Sequence, residues 1–347
     1  MSPDSSAAAL LRAEQLLAIN RPQEALAALG TVLAHEPDNA GALCLAARAE
    51  LGLNEPEAAR DLAARAAAAA PAAEWPLRLL ALSLVQLKQP QEAYDAARRA
   101  VMNAPNVWQT HHALAHVCSA MFGMTSVGYT AARSAIELAP LEPDPHAMLG
   151  RVALESGDQN TAEQALREAL RLDPNHAMAR NDLGRLQLLR KDHFGAADHF
   201  AQAAASNVRM EVAAHNIDVA LTSVVARLFF WVWILLITLG RIALSLKGTG
   251  AWVAGIATLA VLIGLTVWQL RGLVPALRGR LGPYLRLLPH RDRLMTASIG
   301  LLVLGMIALA VMCVLPPDWR WPPAIAGGVA LIGSRVVLAI RTRRLSR

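Results

Sequence analysis

The sequence predicts an all-α chain: an α-solenoid of about six helical hairpins followed by a four-helix transmembrane region. Three observations carry that reading. Proline returns at 37, 71, 105, 140 and 174, close to one every 34 residues. Small residues keep the same beat at two further places. The last third of the chain then breaks into long apolar runs separated by arginine. At 347 residues there is room for two domains, and 54% apolar residues with a mean hydropathy of +0.33 is high for a protein living wholly in water.

The first small series is Ala25, Ala59, Ala93, Gly128, Ala162 and Ala196; the second, 12 or 13 residues earlier, is Ala13, Ala47, Ala81, Ala115, Gly150 and Gly184. All the series slip by one residue between Ala115 and Gly128, so one inserted turn residue accounts for the irregularity. Six units result, from about residue 6 to 210. Two short helices packed face to face explain a period of this length, because a small side chain lets two helix axes approach. Pro22, Pro56 and Pro90 mark the turn inside three hairpins, and Ser156–Gly157–Asp158 and Arg190–Lys191–Asp192 mark it in two more. The periodic prolines end each second helix, since proline lacks an amide donor and disfavours helix in its predecessor.

These residues resemble the tetratricopeptide repeat family. The match rests on Leu149–Gly150 and Leu183–Gly184 in first helices, and on Ala162, Leu166, Ala169 and Pro174, with Ala196, Phe200 and Ala203, in second helices. The aromatic residues common early in the family's repeats are mostly missing, and the sixth unit has Val208 where proline is expected. The resemblance implies a superhelical docking surface on residues 1–210. It also implies that the residue after each small first-helix position, and the one four before it, line the groove. Those positions include Arg48, Arg78, His112, His116, Arg151, Asn181 and Arg185. A mildly cationic groove in a net acidic domain points to a protein or peptide partner, acidic or offering a C-terminal carboxylate, held by charge-assisted hydrogen bonds.

Residues 211–224 hold a helical period without proline or glycine and are expected to cap the last repeat. Residues 225–347 are expected to form the multi-pass region, with spans near 228–246, 251–270, 294–315 and 324–340 and a basic loop at 271–293. Small residues four apart, among them Ala326, Ala330 and Ser334, are expected to pack between spans. Arg241 and Arg335, each near a span end, are read as snorkelling anchors.

Charge divides with the hydropathy. Residues 1–224 hold 18 Lys and Arg against 25 Asp and Glu, whereas 226–347 hold 15 against 2. Because the excess lies between apolar runs, it points to membrane lipids rather than nucleic acid. In the loop, Arg278, Arg280 and Arg286 fall between periodic leucines and are expected to meet anionic headgroups. The arginine-rich loop and tail place themselves in the cytoplasm by the positive-inside rule, and an even number of spans puts the N-terminal repeats there too. The start of the chain lacks a signal-peptide pattern. A bacterial cytoplasmic (inner) membrane is the expected location, since 30 arginines against three lysines hint at a GC-rich genome.

Chemistry finds little to stand on. Cys44, Cys118 and Cys313 are scattered, without CxxC spacing. His112 and His116 stand four apart, as two zinc ligands on one helix face would, with His111 adjacent, but the spacing names no third ligand and no HExxH glutamate. His290–Arg291–Asp292 lacks every other part of a kinase site. No enzyme activity, metal or cofactor is expected. The expected role is a membrane-anchored scaffold at the cytoplasmic face; the alternative is a regulatory or accessory subunit of a transporter, channel or secretion complex. The oligomeric state is not legible.

Overall fold

The computed structural model describes residues 3–121, 123–206, 211–245, isolated positions between 253 and 267, 292–316 and 319–345. Among them there is helix and no strand. The helices are α1 (Pro3–Ala18), α2 (Pro22–His35), α3 (Ala40–Leu53), α4 (Pro56–Ala69), α5 (Glu74–Gln86), α6 (Pro90–Asn103), α7 (Trp108–Ser119), α8 (Thr125–Leu138), α9 (Pro143–Ser156), α10 (Gln159–Leu172), α11 (Ala177–Leu189), α12 (His193–Ser206), α13 (Glu211–Ser245), α14 (Arg293–Val314) and α15 (Trp321–Leu345). The chain forms two compact units, Met1–Asp182 and Leu183–Arg347.

Each helix end in the first unit has a local cause. Pro22, Pro56 and Pro90 occupy the first positions of α2, α4 and α6, where a missing N–H costs nothing. Asn39 and Asp158 cap α3 and α10, their side chains accepting from the amides of Ala42 and Thr161. At the other end, the periodic prolines halt the second helices, and the carbonyl each one leaves open is served by a side chain. His111 Nε2 donates to Pro105 O at 2.7 Å and His146 Nε2 to Pro140 O at 2.9 Å. Arg180 Nε donates to Pro174 O at 3.0 Å. The donor is the sixth residue after the proline. After Pro37 and Pro71 that residue is Leu43 or Leu77, buried and apolar. There Arg65 and Asn103, from the following hairpin, donate instead, at 2.7 and 3.0 Å.

Inside every hairpin one residue turns left-handed: Asn20, Asn54, Lys88, Gly123, Gly157 and Lys191, with φ between 58° and 81°. These keep the 34-residue beat. In five of the hairpins the amide after this residue bonds back five positions, for example Glu55 N to Glu50 O at 3.0 Å and Gln89 N to Leu84 O at 2.9 Å, which closes the orphan carbonyls of the first helix. The fourth hairpin carries the longer turn between α7 and α8, where the inserted residue was expected.

The small residues pack as the spacing predicts; the first hairpin sets Ala13 with Leu29, both fully buried, and from the second hairpin on the partners trade volume with them. Where the first helix has Ala47, Ala81 or Ala115, the second has Ala63, Ala97 or Ala132 opposite, all fully buried. Where it has Gly150 or Gly184, the second has Leu166 or Phe200. A Cβ on Gly150 would stand 2.5 Å from Leu166 Cγ, and one on Gly184 2.6 Å from Phe200 Cε1, so the larger ring or isobutyl group fills the space that the missing methyl leaves.

In the second unit, Ala196, Ala197 and Phe200 of α12 share a core with Ile217 and Ala220 of α13. α13 is one continuous helix of 35 residues. Three helices are long and apolar enough to cross a membrane among the described residues, within Asn216–Ile234, Arg293–Met312 and Trp321–Arg343. The 25 residues of α15 exceed the expected span 324–340 at both ends, and at a rise of roughly 1.5 Å each they outreach a hydrocarbon core of about 30 Å. Most of the expected span 251–270, and the loop with Arg278, Arg280 and Arg286, lie outside the described residues.

α14 and α15 pack antiparallel along a seam of alternating three- and four-residue steps. It consists of Met295, Ser298, Leu302, Gly305, Leu309 and Met312 against Gly327, Leu331, Ser334, Leu338 and Arg341, all buried. That is the knobs-into-holes repeat of a left-handed helix pair. Of the small residues expected there, Ser334 lies in the seam, exchanging hydrogen bonds with Ser298. Ala326 is exposed and Ala330 half-buried. The chosen beat of four drifts off the packed face, which follows a mean step of 3.5.

Candidate functional site

In the first unit α1, α3, α5, α7 and α9 pack on one another in succession, and α2, α4, α6 and α8 make no comparable contacts with their own counterparts. The first helices therefore lie on the inside of the curve. α5, α7, α9 and the start of α11 bring Arg78, His112, His116, Arg151 and Asn181 to that face. Arg48 stands on α3, exposed. Arg185 lies in the second unit, half-buried on α11.

The polar groups are not bare cations. Arg78 pairs with Glu74 one turn earlier on α5, a second nitrogen reaching the carboxylate at 3.3 Å. Arg151 Nε donates to Asp182 Oδ2 at 2.9 Å. Asp182 is only 1% exposed, and Asn181 Nδ2 donates to its other oxygen at 3.3 Å. A buried carboxylate held this way restrains the guanidinium through Nε, and the Nη atoms of an arginine match a carboxylate bidentately.

His176, next to the start of α11, adds a second ordered pair. Its Nδ1 accepts from the Ala179 amide at 3.1 Å, so the ring proton sits on Nε2, which donates to Asp144 Oδ1 at 2.8 Å. That hydrogen bond holds the Asp144 carboxyl below the usual carboxylate range, against the effect of burial.

His112 and His116 sit between these pairs. The Trp108 ring meets His112 edge-on at 5.8 Å. Burial pulls both imidazoles down to about 4, with Asp144 opposing for His112 and Arg151 adding to the fall for His116. Both are therefore neutral near pH 7, and His116 Nδ1 is buried without a hydrogen-bond partner. Groups of three or more potential metal-binding side chains do not occur among the described residues. Buried Cys44, adjoining this face, has its thiol pushed up to about 12 by burial, which makes it unreactive.

Glu74, Asp144, His176 and Asp182 escaped the sequence reading. A signal for two of the pairs exists: Asp182 follows Arg151 by 31 residues and His176 follows Asp144 by 32, three and two residues short of a repeat, so opposite or complementary side chains on adjoining first helices meet.

Hairpins of this geometry, stacked with their first helices inward, define a helical-repeat scaffold. Residues 7–74 and 147–208 match the family model for the tetratricopeptide repeat. A tetratricopeptide-repeat-containing protein of Pseudomonas aeruginosa is 46% identical over 61 residues, 18% of this chain and 25% of that one. The chain thus spans about a quarter of the length of the curated relative it matches. Among solved structures, a tetratricopeptide repeat protein from Parabacteroides merdae aligns with a TM-score of 0.54 and 16% identity, covering 63% of this chain and 85% of that one. The anaphase-promoting-complex hetero-tetramer Cut9–Hcn1 aligns with a TM-score of 0.53 and 18% identity, covering 63% and 43%. At such identities both establish the fold alone. The repeat region belongs to the tetratricopeptide repeat family, and its fold is that of a protein-interaction scaffold.

Proposed function

We propose that the chain is a membrane-anchored scaffold that docks a protein segment in the inner groove of its repeats at the cytoplasmic face. The observation that carries the reading is Arg151, held through Nε by the buried Asp182; its Nη atoms are the donors assigned to a partner's carboxylate. Exposed Arg48 adds a second cation on the same row of first helices. Glu74, Asp144 and Asp182 make the groove mixed in charge, so the partner presents an acidic side chain or chain terminus beside hydrogen-bond donors, one of which suits His116 Nδ1.

The anchor rests on the three apolar helices. α13 and α14 begin, and α15 ends, beside one another, where Arg341 reaches Asp218 and Asp292. Two helices starting on one side require the intervening chain to cross back. That supports an even number of spans with repeats and C-terminus on the same side, and Arg278, Arg280 and Arg286 against anionic lipid there.

Photo-crosslinking from position 48 in native membranes, with identification of the adduct, tests the docking. Arg151→Glu should abolish the adduct while leaving the helical circular dichroism unchanged. An adduct at parental yield in that variant removes the groove from consideration.

A further inference from the structure

Arg341, one turn from the end of α15, is 3% exposed although it carries a full charge. Two of its nitrogens donate hydrogen bonds and the third stands in ion-pair range without one. Nε donates to Asp292 Oδ2 at 2.5 Å, Nη1 donates to Thr222 Oγ1 at 2.8 Å, and Nη2 stands 3.4 Å from Asp218 Oδ1. Each partner is itself fixed. The other oxygen of Asp292 caps α14, accepting from the Met295 amide at 2.9 Å. The Thr222 hydroxyl donates to the Asp218 carbonyl at 2.6 Å, leaving its lone pair for the arginine.

The α14–α15 seam is long and periodic and needs no clamp. α13 is different. Beyond the α12 interface, Val225 and Val232 are its buried residues among those described, with Val224, Ala226, Leu228, Phe229 and Trp233 partly buried against the same core and Phe229 beneath the Arg335 guanidinium at 5.9 Å. Its run Ala226–Arg227–Leu228–Phe229–Phe230–Trp231–Val232–Trp233 is apolar on nearly every face. Apolar contact therefore does not choose which face meets the pair, since a rotated helix would bury as much. Buried ionic groups add little net stability over apolar ones, and their best-attested use is to fix register. We infer that Asp218, Thr222, Asp292 and Arg341 form a clamp that selects the face and register at which α13 docks on α14 and α15. Because α12 packs on the start of the same helix, through Phe200 and Ala196 against Ile217 and Ala220, the clamp also fixes the last repeat helix relative to the membrane pair.

The test uses the full chain in its membrane, with Cys44, Cys118 and Cys313 replaced by alanine and the pair Phe229→Cys and Arg335→Cys joined by a short bismaleimide. Arg341→Met should lower the crosslink yield. That variant strands two carboxylates, so the deciding variant is the triple change Asp218→Leu, Asp292→Asn and Arg341→Met, which leaves no unpaired charge and keeps a capping side chain on α14. The triple variant should insert at the parental level, and the ratio of the crosslink from position 229 to the one from position 226 should fall about tenfold, the change produced when a docking preference of about 1.4 kcal/mol disappears. The crosslink from Ala226→Cys to Arg335→Cys should rise in its place. An inserted triple variant with parental crosslinking overturns the inference. So does a triple variant that no longer inserts, because the charges would then be serving stability rather than register.

Discussion

Replacing Gly150 by alanine should destabilise the fifth hairpin in the parent chain and stabilise it when Leu166 is alanine. The added Cβ would lie 2.5 Å from Leu166 Cγ, 2.7 Å from its Cδ2 and 3.3 Å from the Ala162 carbonyl oxygen. Leu166 is fully buried, so it has no solvent to move into. Overpacking of this kind costs about 1–3 kcal/mol, against roughly 1 kcal/mol gained by alanine over glycine within a helix. The net expectation is a loss of about 0–2 kcal/mol. Leu166→Ala alone opens a cavity and should cost about 2–5 kcal/mol. Together the two changes rebuild the alanine pair that the second, third and fourth hairpins already use. Gly150→Ala should then recover about 1 kcal/mol, from helix propensity and from the methyl placed in the cavity. Native-state hydrogen exchange at the amides of α9 and α10 reads the opening of this hairpin locally, without assuming that the array unfolds in one step. The decisive quantity is a change of sign between backgrounds. If Gly150→Ala raises protection equally with leucine or alanine at 166, the volume-exchange account of the repeats is wrong.

Lys88 holds a left-handed conformation at φ 58° on the surface, a region that costs an L-residue roughly 1–2 kcal/mol. Lys88→Gly should raise the thermal midpoint, measured by circular dichroism, and Lys88→Val should lower it. His112 and His116 are pushed down to about 4 from 6.5, so between those values the unfolded chain binds more protons than the folded one. Stability should fall as pH drops through that window and level off below it, and a His112→Phe, His116→Leu variant should show a flatter acid limb in urea titrations. Asp182→Asn leaves the shape of the groove but weakens the hold on Arg151 Nε, so crosslinking to the partner should fall less than with Arg151→Glu. Equal loss in the two variants would mean that Asp182 meets the partner itself.

The six hairpins are legible because their signals are chemical: proline at each stop and small residues at each crossing. The left-handed turn residues keep the same beat but are written as Asn20, Asn54, Lys88, Gly123, Gly157 and Lys191. What they share is a backbone conformation that several side chains tolerate, so composition does not reveal the series. The seam between α14 and α15 hid for a related reason. Where a helix is apolar all round, hydrophobicity no longer marks the packed face, and alanine serves lipid contact as well as helix contact. The buried serines and Arg341 were the better guide, because a polar group inside such a helix has to face a partner.

In the groove, position counting from the repeat names Arg48, Arg78, His112, His116, Arg151, Asn181 and Arg185 as the lining. It missed that the row is cross-linked by acids of its own. Glu74 and Asp144 occupy other turns of the same first helices and Asp182 the position next to Asn181, so a count restricted to two positions per helix passes over them. On the docking role proposed above, their presence changes what the groove would select. An arginine row without acids would attract any anion at low ionic strength and release it as salt rises. An arginine pinned through one nitrogen by a 1% exposed aspartate presents a fixed edge. Its gain comes from geometry that an anion of the wrong shape does not match. Binding at this face should therefore discriminate between a carboxylate terminus and a simple inorganic anion even at physiological ionic strength.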